Sequence, residues 1–357
     1  MRTFGVELEH ISSVSHPKLQ LALEKADIGV DRYATGHTYC PQHCYSGWQV
    51  KTDGSLTVTE EYPYKMELAS PPMLIPRAMT QFQKVLGVAR AFGGINTSCS
   101  MHVHVSAPEL HIVLRNHITA APLIEKIQRT WTNVERVFYS YVTPSRRYNE
   151  FCKRGIDLSD RYHGLNLGAV LNTSRQTIEF RLHQGTLNTT KALAFAALCV
   201  KFIDFISVPT QGLDMLEPAA FTDTPMRVIR VQNNVLHIQR TKKKWIVESK
   251  VLSGEFDDLA DAHAQLVKLI ELPAEPLSAF KYPEHGNAMT ALCDVLGLHS
   301  HYKGYLEARY ERMLGKFGPD TGGDGPTPEV EELDNDEFYN EAELGQLDPP
   351  SSERPPY

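Results

Sequence analysis

The sequence predicts an α+β fold. Four segments in the first 185 residues alternate apolar and polar residues with the period of a strand, and helix-like stretches with recognisable starts and stops lie between them. Of 357 residues, 42% are hydrophobic and 22% charged, which excludes a collagen-like or wholly disordered chain. The length suits one large domain or two ordinary ones.

Taken in order, Arg2 to Glu9 reads as the first strand and Tyr64 to Ala69 as the second. A helix is expected from Pro76 to Ala91, with proline in its first turn and Gly93-Gly94 after its end. Ser100 to Val105 is a third strand. Leu110 to Tyr141 reads as two helices interrupted near Pro122, and Thr177 to His183 as a fourth strand. Thr189 to Ile206 is apolar nearly all round and predicts a buried helix. Met226 to Val251 reads as a hairpin turning at Asn233-Asn234, and Asp257 to Leu272 and His301 to Lys316 as amphipathic helices. The expected organisation is a catalytic core over 1–209, an elaboration over 210–318 and an acidic, disordered tail over 319–357, where breakers give way to a carboxylate-rich run.

Six irregularly spaced cysteines predict reduced thiols and a cytoplasmic protein. Met1-Arg2-Thr3 leads straight into strand-like sequence, so no secretory leader is expected. The most apolar stretch, Ala192 to Ile206, is too short to span a membrane and contains Lys201 and Asp204. The last 38 residues hold twelve carboxylates and one arginine, whereas the remainder has 35 basic residues against 31 acidic. That mildly basic body suits anionic ligands such as nucleotides, and by itself does not argue for nucleic acid. The basic run Arg240 to Lys244, with Arg227, Arg230 and Trp245 nearby, has the make-up of a phosphate-backbone grip, but such runs are more often a solvated hairpin end.

The strands carry the chemistry. Residues two apart on a strand share a face. Glu7 and Glu9 therefore emerge together, with Val6 and Leu8 on the other side. The same pattern places His102 with His104, and Glu179 with Arg181 and His183, while Glu67 stands alone between Met66 and Leu68. If these strands form one sheet, they make a floor of carboxylate and imidazole. Such a donor set, without thiolate, suits Mg²⁺ or Mn²⁺, and Mg²⁺ held by few protein ligands usually arrives with nucleotide phosphates. Taken one strand at a time, each pair reads more simply as a solvated face.

Five short blocks in order resemble the amidoligase family of carboxylate–amine ligases, related to glutamine synthetase and glutamate–cysteine ligase. They are Phe4-Gly5-Val6-Glu7-Leu8-Glu9, Trp48 to Leu56, Glu67-Leu68-Ala69-Ser70-Pro71-Pro72, Met101-His102-Val103-His104 and Thr177 to Leu187; Arg161 to Leu167 resembles the segment before the last. The resemblance implies a glutamine-synthetase-like catalytic domain, with a mainly antiparallel sheet and helices packed on one face. It implies Glu7, Glu9, Glu67, His102 and Glu179 as ligands of two metals, and Arg181 as the group that acts on phosphate or substrate. Gly185-Thr186-Leu187 replaces the Asn-Pro pair that follows the arginine segment in glutamine synthetase, and no counterpart of its ammonia-site loop is evident, so glutamine is not the implied product.

The implied reaction uses ATP to activate a carboxylate as an acyl phosphate, which an amine then displaces to leave an amide or isopeptide bond. The expected partners are a small carboxylate and a small amine, or a peptide or protein acceptor; nucleic acid and membrane are not expected. Asp53 either positions the amine or is a turn residue, and Arg161 either holds nucleotide or substrate carboxylate or is a loop surface arginine. His37, Cys40, His43 and Cys44 offer zinc-type ligands at a spacing of no standard module, against a substrate-covering loop. Two other readings stay open: a nucleotide- and metal-binding module that ligates nothing and recruits partners or nucleic acid, and a phosphotransferase that stops at a phosphorylated product.

Overall fold

The computed structural model describes residues 2–31, 46–108, 110, 117–172, 176–207, 226–231, 234–240, 245–248, 253–256, 287–318 and 320. Its centre is an open antiparallel sheet. Strands β1 (Phe4–Ser12), β2 (Gln49–Lys51), β3 (Tyr64–Ala69), β4 (Gly93–Gly94), β5 (Ser100–Ser106), β6 (Leu165–Asn166) and β7 (Thr177–Gln184) run in the spatial order β2-β3-β1-β5-β7-β6, with β4 on the end of β1. A second sheet is a four-stranded meander of β8 (Met226–Val231), β9 (Asn234–Arg240), β10 (Trp245–Glu248) and β11 (Ser253–Phe256). The expected hairpin corresponds to its first pair, but Val231 opposes Asn234, so Asn234 belongs to β9 and not to the turn, and the stretch to Val251 holds the further strand β10.

The described helices are α1 (His16–Lys25), α2 (Ile75–Phe92), α3 (His117–Tyr141), α4 (Pro144–Arg147), α5 (Gly168–Asn172), α6 (Thr189–Ile206), α7 (Ala288–Val295) and α8 (Ser300–Phe317). Helix α2 buries Ala78, Phe82, Val85, Leu86 and Ala89, a helical stripe that lies against the sheet. It ends where Gly93 meets β1, and glycine is required there: a Cβ would come within 2.6 Å of the Ile11 carbonyl oxygen. Helix α6 is capped by Asn188, whose side chain accepts from the Lys191 amide. It is apolar all round because α2, α8 and β5 pack about it.

Two expectations change. Helix α3 runs unbroken through Pro122 instead of dividing there. The proline lies six residues into the helix, so its missing N–H costs one hydrogen bond near an end that already lacks several. Asp320, the first carboxylate of the acidic run, is buried: its amide donates to Ser140 Oγ, its carboxylate pairs with Arg154 and its carbonyl accepts from Arg136. The segments Asp257 to Leu272, Thr241 to Lys244 and 321–357 lie outside the described residues.

The apolar face of the sheet, Phe4, Val6, Leu8, Val103 and Phe180, belongs to one core with α2, α3 and α6. Within it, Phe180 meets Trp131, Phe138 and Phe202 at ring separations of 5.9–6.1 Å. Helices α7 and α8 contribute Met289, Leu292, Leu306 and Tyr310 to the same core. Among the described residues, no helix is long and apolar enough to cross a membrane.

Candidate active site

The other face of the sheet is a grid of polar residues fixed by strand register. One row runs Gly5–His104–Glu179–Asn166 across β1, β5, β7 and β6. A second runs Gln49–Ala69–Glu7–His102 across β2, β3, β1 and β5, and a third runs Lys51–Glu67–Glu9. Because directly opposed residues share a face, the register that buries Val6 against Val103 also brings Glu7 to His102.

Glu7 Oε2 lies 3.2 Å from His102 Nδ1, and Glu7 Oε1 lies 3.4 Å from His104 Nε2. Glu179 Oε1 is 3.5 Å from His102 Nδ1 and 3.8 Å from His104 Nε2, and it accepts from Arg181 Nη1 at 2.6 Å. Glu179 Oε2 accepts from the Asn166 side chain at 2.6 Å. One ligand atom each from Glu7, His104 and Glu179 falls within 4.8 Å of the others. Burial works against ionisation of Glu7 and Glu179, but the two imidazoles outweigh it and hold both carboxyls below the usual range; Arg181 adds to the effect at Glu179.

At the other end, Glu9 Oε2 accepts from the Ser100 amide at 2.7 Å and the Ser100 hydroxyl at 2.6 Å. Having given its proton to Glu9, Ser100 Oγ is left to accept from His102 Nε2–H at 2.9 Å. The other ring nitrogen, Nδ1, is the one that faces Glu7 and Glu179. Burial raises the Glu9 carboxyl above its ordinary value. Glu67 is pushed up to about 7, by burial first and then by the charge of Glu7, against the pull of Lys51, whose Nζ donates to Glu67 Oε1 at 3.2 Å.

Arg181 is also tied by Nε to the Phe151 carbonyl, and its guanidinium lies 5.7 Å from the Tyr162 ring. Arg161 stacks over the same ring at 5.3 Å. Asp53 accepts from the Ser55 amide and hydroxyl in a turn, yet its charge reaches Glu9 and Glu67 and raises both.

The sheet thus brings together Glu7, Glu9, Glu67, His102, Glu179 and Arg181 from four separated strands, while Arg161 meets the Tyr162 ring that Arg181 also approaches. The ligand set implied by the family resemblance leaves out His104, and sequence reasoning does not reach Ser100, Asn166 and Lys51. His104 is signalled by its spacing of two from His102; the other three become visible only once register is known. His183 is a correction. It does not share a face with Glu179 and Arg181, because β7 is bulged: Val103 opposes Phe180 but Met101 opposes His183, so two residues of β7 face one of β5. The extra residue turns His183 to the helix side, 4.5 Å from the Phe195 ring and 5.9 Å from that of Tyr141.

The zinc candidates His37, Cys40, His43 and Cys44 lie outside the described residues. Cys99, Cys152, Cys199 and Cys293 are free and buried. Cys99, beside the site, has its thiol pushed up to about 11 by burial, which removes it as a nucleophile.

A family model described as "Putative amidoligase enzyme" matches residues 1–155 and, in a second overlapping stretch, residues 123–203. The chain belongs to the amidoligase family. The match covers more than half the chain and takes in the whole polar grid, β1 through β7. No curated protein matches the sequence. Membership supports a ligase-type enzyme, and the described sheet is the part of the molecule that the family model spans.

Proposed function

We propose that this amidoligase is an ATP-dependent carboxylate–amine ligase with a glutamine-synthetase-like catalytic sheet. The observation that carries the reading is the convergence of Glu7, His102, His104 and Glu179 on one half-buried, polar sheet face within a family of amidoligases. The two carboxylates are the oxygen donors that suit Mg²⁺ or Mn²⁺, and the two imidazoles stand beside them as borderline ligands. Two features of the site support that fit: Glu7 and Glu179 are held ionised, and Ser100 holds the His102 ring with Nδ1 facing them. When bound, such a cation would screen the repulsion between a triphosphate and a substrate carboxylate.

The reaction balances as two transfers. The γ-phosphoryl group moves to a carboxylate oxygen and ADP leaves; the amine nitrogen then attacks the carbonyl carbon, the C–O bond to phosphate breaks, and the amine loses a proton. Arg181 is placed to hold phosphoryl oxygens, since Glu179 and the Phe151 carbonyl fix its guanidinium at the edge of the cluster. Asp53, beside Glu9 and Glu67, is placed to attract a cationic amine and take its proton. Arg161, stacked on the ring that Arg181 also approaches, is placed to meet nucleotide or substrate carboxylate from the rim.

ADP release from Mg-ATP tests this, with wild type and Glu179→Gln side by side against pooled amino acids, polyamines and small peptides. ADP formed by wild type only when both a carboxylate and an amine are present is the expected result, with turnover down about 10³-fold or more in Glu179→Gln. ADP formed without an amine, or full turnover in the variant, overturns the reading.

A further inference from the structure

We propose that Lys51 is a built-in counter-ion that fills the second cation position of this face, so that the site takes one divalent ion where the glutamine-synthetase resemblance implies two. The proposal rests on the cation reading given above and goes beyond it by assigning a role to a residue outside the family-derived ligand set.

The two ends of the grid are engaged differently. At one end, Glu7, His104 and Glu179 offer ligand atoms within 4.8 Å of one another, and among the described residues no second such trio converges. At the other, the carboxylates of Glu67 and Glu9 stand in one cross-strand row with Lys51. One oxygen of each is engaged by donors of the chain itself: Lys51 Nζ lies on Glu67 Oε1 at 3.2 Å, and the Ser100 amide and hydroxyl both lie on Glu9 Oε2.

An exposed lysine–glutamate pair contributes little and would give way to a metal. This pair is different in its surroundings. Glu67 is mostly buried, and the charges that act on it besides Lys51 are those of Glu7 and Asp53, both acidic. A divalent ion seated on Glu67 would meet the Lys51 ammonium on the same carboxylate, and like charges at such separations repel strongly in a half-buried site. Displacing the ammonium would in turn strip the cross-strand pair of its partner. The chain therefore supplies one positive charge at the Glu67 end, and an ion is needed at the Glu7–His104–Glu179 end.

Counting Mn²⁺ on the full-length protein tests the proposal without reference to turnover, by calorimetry and by electron paramagnetic resonance of free ion. Wild type is expected to take up one Mn²⁺ per chain, and Glu179→Gln to lose it. Lys51→Met is expected to take up two, and Lys51→Arg to remain at one. Two tight ions in wild type would overturn the role of Lys51 and leave the cation reading standing. No ion in wild type would overturn both. Lys51→Met that keeps native circular dichroism and still binds one ion would overturn the role of Lys51 alone; should that variant fail to fold, Lys51→Gln is read by the same criterion.

Discussion

Glu179 and Phe180 are neighbours in β7, yet they face different solvents. Phe180 enters a dry cluster of rings from α3 and α6, whereas Glu179 joins a carboxylate–imidazole–guanidinium network. Both side chains are buried. The difference lies in what each tolerates: the dry side needs apolar volume of about the right size, while the polar side needs particular atoms at particular distances. On the proposed function, the dry face determines stability and the polar face the chemistry, and substitutions on the two should separate cleanly.

The sharpest way to break that separation is Phe180→Ala. It removes a ring packed against Trp131, Phe138 and Phe202 and leaves a cavity that closely packed neighbours cannot fill. A loss of about 3–5 kcal/mol is expected, read from urea unfolding monitored by tryptophan fluorescence. A loss below about 1 kcal/mol would mean that the aromatic cluster is not the packed core of the sheet.

The next effect lies on the polar face. His102 and His104 both approach Glu7 and Glu179, His102 through Nδ1 and His104 through Nε2. Each alanine substitution should weaken Mn²⁺ by about tenfold or more, close to 1.4 kcal/mol, with native unfolding behaviour retained. Unchanged affinity in His104→Ala would return the site to the single histidine that the family resemblance singles out.

Legibility in the sequence followed the same division. Alternation was enough to find β1, β3, β5 and β7 and to say which side of each is apolar, because strand period and burial are local properties. It was enough to put Glu7 with Glu9 and His102 with His104. Which residues of different strands meet is not local. Ser100 reaches Glu9, Asn166 reaches Glu179 and Lys51 reaches Glu67 only through register, and register depends on turns and bulges whose partners are far away in sequence. Helix α3 shows a further limit: a proline six residues in costs one bond, and the packing of Trp131, Val134, Val137 and Phe138 outweighs it.

The smallest expected effect tests the bulge itself. Strict alternation puts His183 on the polar face beside Arg181, whereas the shifted register puts it on the helix side against Phe195, with Nδ1 on the Gln184 carbonyl. His183→Leu keeps an apolar contact with Phe195 and gives up that hydrogen bond, so it should cost about 1 kcal/mol of stability. Mn²⁺ affinity and ADP release should stay at wild-type values, since the ring lies on the helix side against Phe195 and Tyr141. A drop in metal affinity with unchanged stability would place His183 with the carboxylates after all, and the two-to-one pairing of β7 on β5 would then be wrong. That outcome would also move Gln184 and the glycine that follows it. Gly185 sits where a Cβ would come within 2.6 Å of Cys99, so the same shift that turns His183 toward the helices draws the end of β7 tightly onto the start of β5, next to Ser100 and the carboxylate it holds.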